Sequence, residues 1–121
     1  MQMNEMQFSE VVPVDGYGPG FFRIAGQVVQ GPICLGPTGL CAWRGYDNLD
    51  PLMSLADAVD VIFVGTGAEI AFLPDPVQQC LEKASFGVEP MSSPAACRTY
   101  NVLLSEGRRV ALAALSVATG G

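Results

Sequence analysis

Small polar residues and glycines that could bind an anion follow two apolar runs in the C-terminal half of the sequence. Gly65, Thr66 and Gly67 follow the first run, whereas Ser92 and Ser93 follow the second and precede an expected helix. Glycine lets a ligand approach the backbone, and free amides at a helix N-terminus attract negative charge. The pattern therefore indicates a pocket for a small anionic ligand. The competing interpretations are a tight strand exit at the glycines and ordinary helix capping by Ser93.

The same segments lack the residues that a catalytic site would need. Arg98, early in the expected helix, could contact a bound anion at the rim of the pocket. The G-T-G sequence lacks the third glycine and the immediate helix of a dinucleotide fingerprint, and no G-K-[ST] follows it. Histidine is absent, which excludes Ser-His-Asp and Cys-His sites within this chain. We therefore expect no catalytic residues, no metal site and no cofactor, and we favour a protein that is not an enzyme.

A second set of residues could face a protein partner. Trp43, Arg44 and Tyr46 follow a short strand-like run, and Asn101 falls on the polar side of the expected helix. Aromatic side chains and arginine commonly anchor protein interfaces. We therefore expect these four residues to be partner-facing, and the alternative is that the aromatic rings belong to the core of a small sheet.

Composition narrows the class of partner. Of the 121 residues, 50% are hydrophobic and 15% are charged, so we expect one folded domain rather than a disordered segment. Six basic and twelve acidic residues give a net charge of −6, which disfavours nucleic acid and anionic membranes as partners. No apolar run reaches the length of about 20 residues that a membrane span needs, so we expect no membrane insertion.

Cysteine usage and the N-terminal residues indicate a reducing compartment. The four cysteines form no C-x-x-C motif, which excludes zinc-ribbon and thioredoxin-like sites. Cys34 and Cys41 could face each other across a hairpin, but we favour buried free thiols because cysteine is among the most buried residue types. Residues 1–7 lack the pattern of a signal peptide. We therefore expect a cytoplasmic protein.

The elements that must position these residues divide the chain into two halves. Short apolar runs between residues 8 and 43 alternate with glycine- and proline-rich turns, including D-G-Y-G-P-G at 15–20, and predict an antiparallel β-meander. From residue 61 the order becomes strand, helix, strand, helix, strand, with helices expected over 75–86 and 94–106. Such a βαβαβ unit makes its strands parallel, so both candidate ligand segments would lie at one edge of the sheet, where α/β folds bind ligands.

These patterns predict an α/β fold. We expect a compact three-layer domain with a mixed central sheet, a C-terminal βαβαβ unit and an N-terminal antiparallel β-meander. The single domain is expected over residues 8–117, between a flexible N-terminus at 1–7 and a flexible C-terminal tail at 118–121. In the second helix, a rotation of about 100° per residue puts Tyr100 on the apolar side and Asn101 on the polar side.

Four sequence motifs resemble those of a known family, both in their residues and in their order along the chain. They are G-Y-G-P-G-F-F-R-I at 16–24, P-x-G-x-x-x-W at 37–43, V-G-T-G at 64–67 and A-C-R-T-Y-N-x-L-x-x-E-G-R at 96–108. The chain resembles the family catalogued as domain of unknown function 498, which includes the mitochondrial respiratory complex I (NADH dehydrogenase) assembly factor 3. The resemblance implies a mixed central sheet with an additional β-layer and a non-enzymatic assembly role with protein partners. The absence of a mitochondrial presequence favours a bacterial member.

Two functions are carried forward from the sequence. The favoured one is a non-catalytic protein-interaction or assembly module with an unidentified protein partner, and the resemblance implies a link to respiratory complex assembly. The alternative is a protein or enzyme that binds a small anionic molecule in a pocket at the carboxyl ends of the parallel strands. The two differ in whether the candidate ligand residues Gly65–Gly67 and Ser92–Ser93 border an open cavity.

Overall fold

The structure is a computed structural model that describes residues 12–117. The two ends that we expected to be flexible, and residues 8–11 of the first expected strand, lie outside the described residues. Within the described range the chain forms eight strands and three helices. In chain order the elements are β1 Val14–Gly18, β2 Phe21–Ile24, β3 Gln27–Gln30, β4 Ile33–Gly36, β5 Gly39–Cys41, α1 Asp50–Met53, β6 Val61–Gly65, α2 Asp75–Glu82, β7 Gly87–Met91, α3 Ser93–Ser105 and β8 Val110–Ala114.

Five strands form a mixed central sheet in the order β5-β4-β8-β6-β7. Strand β6 lies parallel to both β7 and β8, whereas β4 pairs antiparallel with β5 and β8. Helices α2 and α3 connect the three parallel strands, which confirms the mixed sheet and its βαβαβ unit. All five residues of β8 are buried, as expected for an apolar strand that is covered on both faces.

The N-terminal strands are divided between two sheets. Strands β1, β2 and β3 form a separate antiparallel sheet in that order, whereas β4 and β5 belong to the central sheet. The expected turn at 15–20 is wrong for most of its length, because β1 continues to Gly18 and only Pro19 and Gly20 separate it from β2. A register irregularity between Val14 and Gly16 lets this glycine-rich segment stay paired with β2.

Two apolar clusters cover opposite faces of the central sheet and create the three layers. Alternate residues of β6 point to opposite faces because a strand has a period of two. On one face Ile62 and Val64 pack with Leu52 of α1 and Leu81 of α2. On the other face Phe63 packs in a cluster formed with α3 and the three-stranded sheet. The layers are therefore α1 and α2, the central sheet, and α3 together with the small sheet.

The boundaries of α3 follow local signals in the sequence, with one difference. Ser92, rather than Ser93, is the N-cap, and its Oγ accepts a hydrogen bond from the Ala95 amide at 3.3 Å. Gly107 ends the helix in a left-handed conformation with φ of 79°, which glycine adopts without strain. The shift of the cap by one residue leaves the Ser93 side chain free for other contacts.

The other helices are short. Helix α1 has four residues, and α2 has eight and ends at Glu82 rather than near residue 86. Among residues 12–117, no helix has the length and apolar character needed to cross a membrane.

Candidate functional site

The carboxyl ends of the parallel strands bring together most of the residues predicted to bind a ligand. Gly65 ends β6, Thr66 and Gly67 follow it, and Ser92 and Ser93 connect β7 to α3. The exits of β6, β7 and β8 meet at this edge because the three strands run in the same direction. The glycine segment and the serine segment therefore lie side by side.

Ser93 is the centre of this edge and is fully buried. Its amide donates to the Gly67 carbonyl at 2.7 Å, and its hydroxyl donates to the Leu115 carbonyl at 2.6 Å. The same hydroxyl accepts the Gly67 amide at 3.0 Å. Gly65 provides the space for this arrangement, since a Cβ there would lie 2.6 Å from the Ser93 Oγ and 2.8 Å from its α-carbon. One serine therefore joins the start of α3 to the exits of β6 and β8.

Thr66 holds the loop that follows β6. Its amide donates to the Met91 carbonyl at 2.8 Å, which ties the loop to the end of β7. Its hydroxyl lies 2.8 Å from the Glu69 carbonyl and 3.2 Å from the Met91 carbonyl, and it accepts the Ala71 amide at 3.0 Å. A threonine hydroxyl has one proton to donate and two lone pairs to accept with, so these contacts engage its proton and one of its lone pairs.

The N-terminus of α3 has its first amides occupied by the protein itself. The Ser93 amide is engaged as described, Pro94 has no N–H, and the Ala95 amide donates to the Ser92 hydroxyl at 3.3 Å. The Ala96 amide donates to the Ser92 carbonyl at 2.8 Å. An anion at this helix end would have to displace these bonds. The groups that suggested a ligand pocket therefore connect chain segments, and an anionic ligand at this edge stays a prediction.

Arg98 contributes to a different part of the surface. It is exposed on α3 and, with Thr99, Val102 and Leu103, lines a shallow groove of about 420 Å³. The Val102 side chain in this groove is 55% exposed. Arg98 therefore faces solvent along α3, whereas Ser93 is buried at the sheet edge.

Asn101 bonds to the start of β1. Its Oδ1 accepts the Val14 amide at 2.9 Å, and its Nδ2 donates to the Val14 carbonyl at 2.8 Å. The neighbouring Tyr100 is fully buried, and its hydroxyl donates to the Val12 carbonyl at 2.8 Å. Burial raises the pKa of Tyr100 because the phenolate would lose its hydration. Both groups of the Asn101 amide therefore bond to β1, and a partner-facing role for the rest of this partly exposed side chain stays a prediction.

Trp43 is also in the interior rather than at a rim. Its side chain is 4% exposed and belongs to the same apolar cluster as Leu52. Its ring meets the half-buried ring of Tyr46 edge-on, with centroids 6.4 Å apart and an interplanar angle of 61°. Of the four residues expected to face a partner, Arg44 is exposed, Tyr46 is partly exposed, and Trp43 is core. The expectation for Trp43 is corrected because its indole fills the core beside α1.

An apolar surface that the sequence did not lead us to select lies between β6 and α2. Ile70 is 70% exposed and Phe72 is 100% exposed. A groove of about 310 Å³ lies against them. We call this region the Phe72 surface, and its lining residues are Ile70, Ala71, Phe72, Leu73, Gln78 and Pro90. The signal that could have revealed it is the apolar run I-A-F-L at 70–73, which stands in a loop without helical or strand periodicity.

The Phe72 surface is extended by a second cavity and bordered by carboxylates. The adjoining cavity of about 240 Å³ shares Leu73, Gln78 and Pro90 with the groove and includes Glu82 in its lining. Glu69 and Asp75, which flank the apolar run in sequence, are exposed. The region therefore combines an apolar centre with an acidic border.

A metal site and a reactive thiol at Cys97 have limited support in the described part of the chain. Between residues 12 and 117, no group of three or more His, Cys, Asp or Glu side chains is placed to hold a metal ion. Cys97, near the start of α3, is buried. Burial raises the pKa of its thiol to about 11, and the Arg98 charge opposes this shift. Cys97 is therefore a protonated core residue near neutral pH.

Sequence comparison relates the chain to other proteins. It matches the family described as "Protein of unknown function (DUF498/DUF598)" over residues 14–115. An uncharacterized protein of Rhodobacter capsulatus is 49% identical over 115 residues, which cover 95% of this chain and 93% of that protein. The crystal structure of an outer membrane protein from Bartonella henselae has a TM-score of 0.83 and 32% identity, and the match covers 91% of this chain and 98% of the other.

Assembly factors are also among the similar proteins. NADH dehydrogenase (ubiquinone) 1 alpha subcomplex assembly factor 3 of Homo sapiens is 30% identical over 124 residues, covering 97% of this chain and 67% of the factor. The mouse factor is 30% identical over 111 residues, and the matched region spans only 60% of its length. The family match extends from β1 to the residue after β8 and includes every strand and helix of the described structure. The chain therefore belongs to the DUF498/DUF598 family.

Proposed function

We propose that this protein is a non-catalytic protein-interaction module with an assembly role, and that it binds its partner through the Phe72 surface. The observation that carries the proposal is the Phe72 side chain, which is fully exposed next to an apolar groove. Burying one such side chain in a partner would stabilise the complex by about 1.5–3 kcal/mol. Single exposed apolar residues are common, but a ridge with an adjoining groove is typical of an interaction site.

The shape of the surface indicates how a partner would fit. Phe72 and Ile70 would enter an apolar pocket of the partner, while an apolar side chain of the partner would occupy the groove beside Pro90. Strand β7 is the edge of the central sheet, but Pro90 lacks an N–H and interrupts any ladder that a partner strand could form there. The association would therefore depend on side chains more than on strand addition.

Charge adds a second criterion for the partner. The exposed carboxylates of Glu69, Asp75 and Glu82 border the apolar centre, and the whole chain carries a net charge of −6. Lys83, next to Glu82, is a nearby cation. A partner segment with apolar anchors and flanking Lys or Arg residues would complement this surface, and its association rate would fall as ionic strength rises.

The similarity to the human and mouse factors supports the assembly role. Those proteins are named as assembly factors of NADH dehydrogenase, and each matches most of this chain. We accordingly propose a subunit or assembly protein of a respiratory complex as the partner, met on the cytoplasmic side. A cell fractionation that finds the protein outside the cytoplasmic fraction would contradict this location.

The test is a pull-down of the tagged full chain from its native host under mild conditions. The test variant is the double substitution Ile70→Ser and Phe72→Ser, and the control is Val102→Ser, which changes an exposed apolar residue on α3. We expect the wild type and the control to recover the same stoichiometric partner. The double variant should recover it at least about tenfold less, because the loss of even one of the two side chains costs about 1.5 kcal/mol or more of binding energy.

Two outcomes would count against the proposal. Equal recovery by the double variant would contradict the Phe72 surface as the binding site. Failure of the wild type to recover any stoichiometric partner, at several expression levels, would contradict the interaction module itself. The alternative anionic-ligand function receives less support, because the Thr66 and Ser93 hydroxyls and the first amides of α3 already bond within the protein.

A further inference from the structure

Two cysteines face each other across the hairpin that forms one edge of the central sheet. Cys34 of β4 and Cys41 of β5 are direct register partners in an antiparallel pair. Directly opposed residues project to the same face, with Cβ atoms about 4.5–5.5 Å apart. Disulfides join residues whose α-carbons are about 4.4–6.8 Å apart, and both kinds of antiparallel pair fall within that range. The backbone register therefore brings the two cysteines into the α-carbon range of a disulfide, and closing the bond would draw their Cβ atoms together to about 3.5–4.5 Å.

The two thiols differ in their access to solvent. Cys34 is fully buried in the apolar cluster that contains Trp43, whereas Cys41 is half-buried and packs against the same cluster from the sheet edge. Strand β5 has three residues and is the last strand on its side of the sheet. An oxidant in solution would therefore meet Cys41 first and would reach Cys34 only through Cys41.

The protonation of the pair agrees with this order. The Cys41 Sγ lies 3.8 Å from the Gly39 carbonyl. The adjacent Cys34 thiol lowers the pKa of Cys41, although partial burial opposes the shift. The adjacent Cys41, followed by burial, raises the pKa of Cys34. The thiolate is the nucleophile in thiol–disulfide exchange, so the accessible cysteine is also the more reactive one.

We infer that Cys34 and Cys41 form a reversible dithiol–disulfide site, in which Cys41 reacts with an external disulfide and Cys34 closes the intramolecular bond. The inference rests on the register of the pair and on the unequal exposure of its members. It is independent of the proposed partner binding at the Phe72 surface.

The oxidation of the two thiols requires an oxidant, and a low-molecular-weight disulfide can serve as one. Oxidised glutathione is the probe of this class. The Cys41 thiolate attacks one glutathione sulfur, the glutathione S–S bond breaks, and a mixed disulfide forms as one glutathione thiolate leaves. Cys34 then loses its proton and attacks the Cys41 sulfur, which expels the second glutathione thiolate. Two electrons pass from the protein to the glutathione disulfide, and the two protein protons are released to solvent or to the two departing thiolates.

The two remaining cysteines act as internal controls. Cys97 is buried in α3, and Cys80 is half-buried in α2. Trypsin cleaves after Lys and Arg, so one peptide, 24–44, contains both Cys34 and Cys41. Cys80 falls in peptide 45–83 and Cys97 in peptide 84–98, and each is therefore read separately.

The experiment incubates the full chain with oxidised glutathione near neutral pH, quenches with acid, alkylates free thiols and maps the tryptic peptides by mass. We expect peptide 24–44 to lose two hydrogen atoms, about 2 Da, and to escape alkylation, while Cys80 and Cys97 are alkylated. Excess reduced glutathione should restore both thiols. Fluorescence of Trp43, the single tryptophan, should fall on oxidation, because a disulfide in its cluster quenches an indole.

Variants separate the roles of the two thiols. Cys41→Ser should leave Cys34 unmodified, whereas Cys34→Ser should trap one glutathione on Cys41, and Cys80→Ser should behave as the wild type. The inference would be overturned if the wild type kept glutathione on Cys41 without closing the bond. Oxidation of Cys80 or Cys97 ahead of peptide 24–44 would overturn it as well. The wild-type peptide map decides the question even where a variant folds poorly.

Discussion

Asn101 pairs with Val14 through both groups of its side-chain amide, with Nδ2 donating to the carbonyl at 2.8 Å and Oδ1 accepting the amide at 2.9 Å. The side chain thereby offers β1 one donor and one acceptor, as a neighbouring strand would. Val14 begins β1 beside the register irregularity with β2. A helix residue therefore completes the hydrogen bonding of a strand end and attaches the small sheet to α3.

The first prediction concerns Asn101→Ala. The substitution leaves the Val14 amide and carbonyl without their partner, so we expect a loss of about 1–3 kcal/mol in the free energy of unfolding. Urea unfolding of both proteins measures the loss. Ser105→Ala is the control, because the Ser105 hydroxyl is exposed and bonds only within α3, to the Val102 carbonyl. Equal stability of the two variants would contradict a structural role for the Asn101 amide.

The second prediction concerns Gly65→Ala. The added methyl would lie 2.6 Å from the Ser93 Oγ and 2.8 Å from the Ser93 α-carbon, and the second of these clashes is with backbone that no rotamer change can relieve. We expect a loss of about 2 kcal/mol or more in unfolding free energy. Adding Ser93→Ala should not restore stability, because the clash with the backbone remains and the bonds to Gly67 and Leu115 are lost.

Replacing any glycine by alanine restricts the backbone, and a glycine without neighbouring atoms serves as the control for this general effect. Gly16 lies in β1 with nothing within 4 Å of the position that a Cβ would occupy. Gly16→Ala should therefore change the unfolding free energy by less than about 1 kcal/mol. If the double variant at Gly65 and Ser93 regained wild-type stability, the clash with the Ser93 backbone would not be the cause of the loss.

The elements of the C-terminal half were predictable because their signals are local. Each signal acts on the backbone within a few residues of its own position. These signals are the apolar periodicity, the serine and proline at the start of α3, and Gly107 at its end. The division of the N-terminal strands between two sheets was not predictable in this way. It depends on β4 pairing with β8, about 80 residues further along the chain, and no local pattern encodes that choice.

In the candidate site too, the local sequence does not determine which distant groups a side chain contacts. The sequence places Asn101 within α3 and Ser93 within one residue of its true position at the helix start, but a hydroxyl or an amide can bond equally to a ligand, a partner or a distant carbonyl. Ser93 bonds to Leu115, 22 residues away, and Asn101 bonds to Val14, 87 residues away. Only the tertiary arrangement decides between these partners, and it shows that Ser93 joins α3 to the exits of β6 and β8.

The third prediction is that small anions do not bind at the N-terminus of α3. Because the first amides of α3 and the Ser93 hydroxyl are occupied, we expect phosphate, sulfate and nucleotides to leave the unfolding temperature unchanged beyond their general salt effect. A ligand at 100 times its Kd would stabilise the protein by about 2.7 kcal/mol, which a thermal-shift assay detects. Stabilisation that disappears in a Ser92→Ala variant would instead support the anionic-ligand function.

The fourth prediction is a loss of stability at high pH that depends on Cys97. Burial raises the pKa of this thiol to about 11 in the folded protein, above the value of about 8.5 for an unfolded cysteine. For a group with a raised pKa, the unfolded state releases its proton first as pH rises. The stabilisation by the neutral thiol is therefore complete below about pH 8.5 and is lost as the pH approaches 11.

Urea unfolding under reducing conditions, at about pH 8 and about pH 10.5, measures this contribution. The wild type should lose about 2 kcal/mol more than Cys97→Ala between the two pH values, because alanine has no proton to lose. Tyr100 and the Cys34–Cys41 pair titrate in both proteins, so their contributions cancel in the difference. A Cys97→Ala variant with the same dependence as the wild type would show that the buried thiol does not cause the alkaline loss.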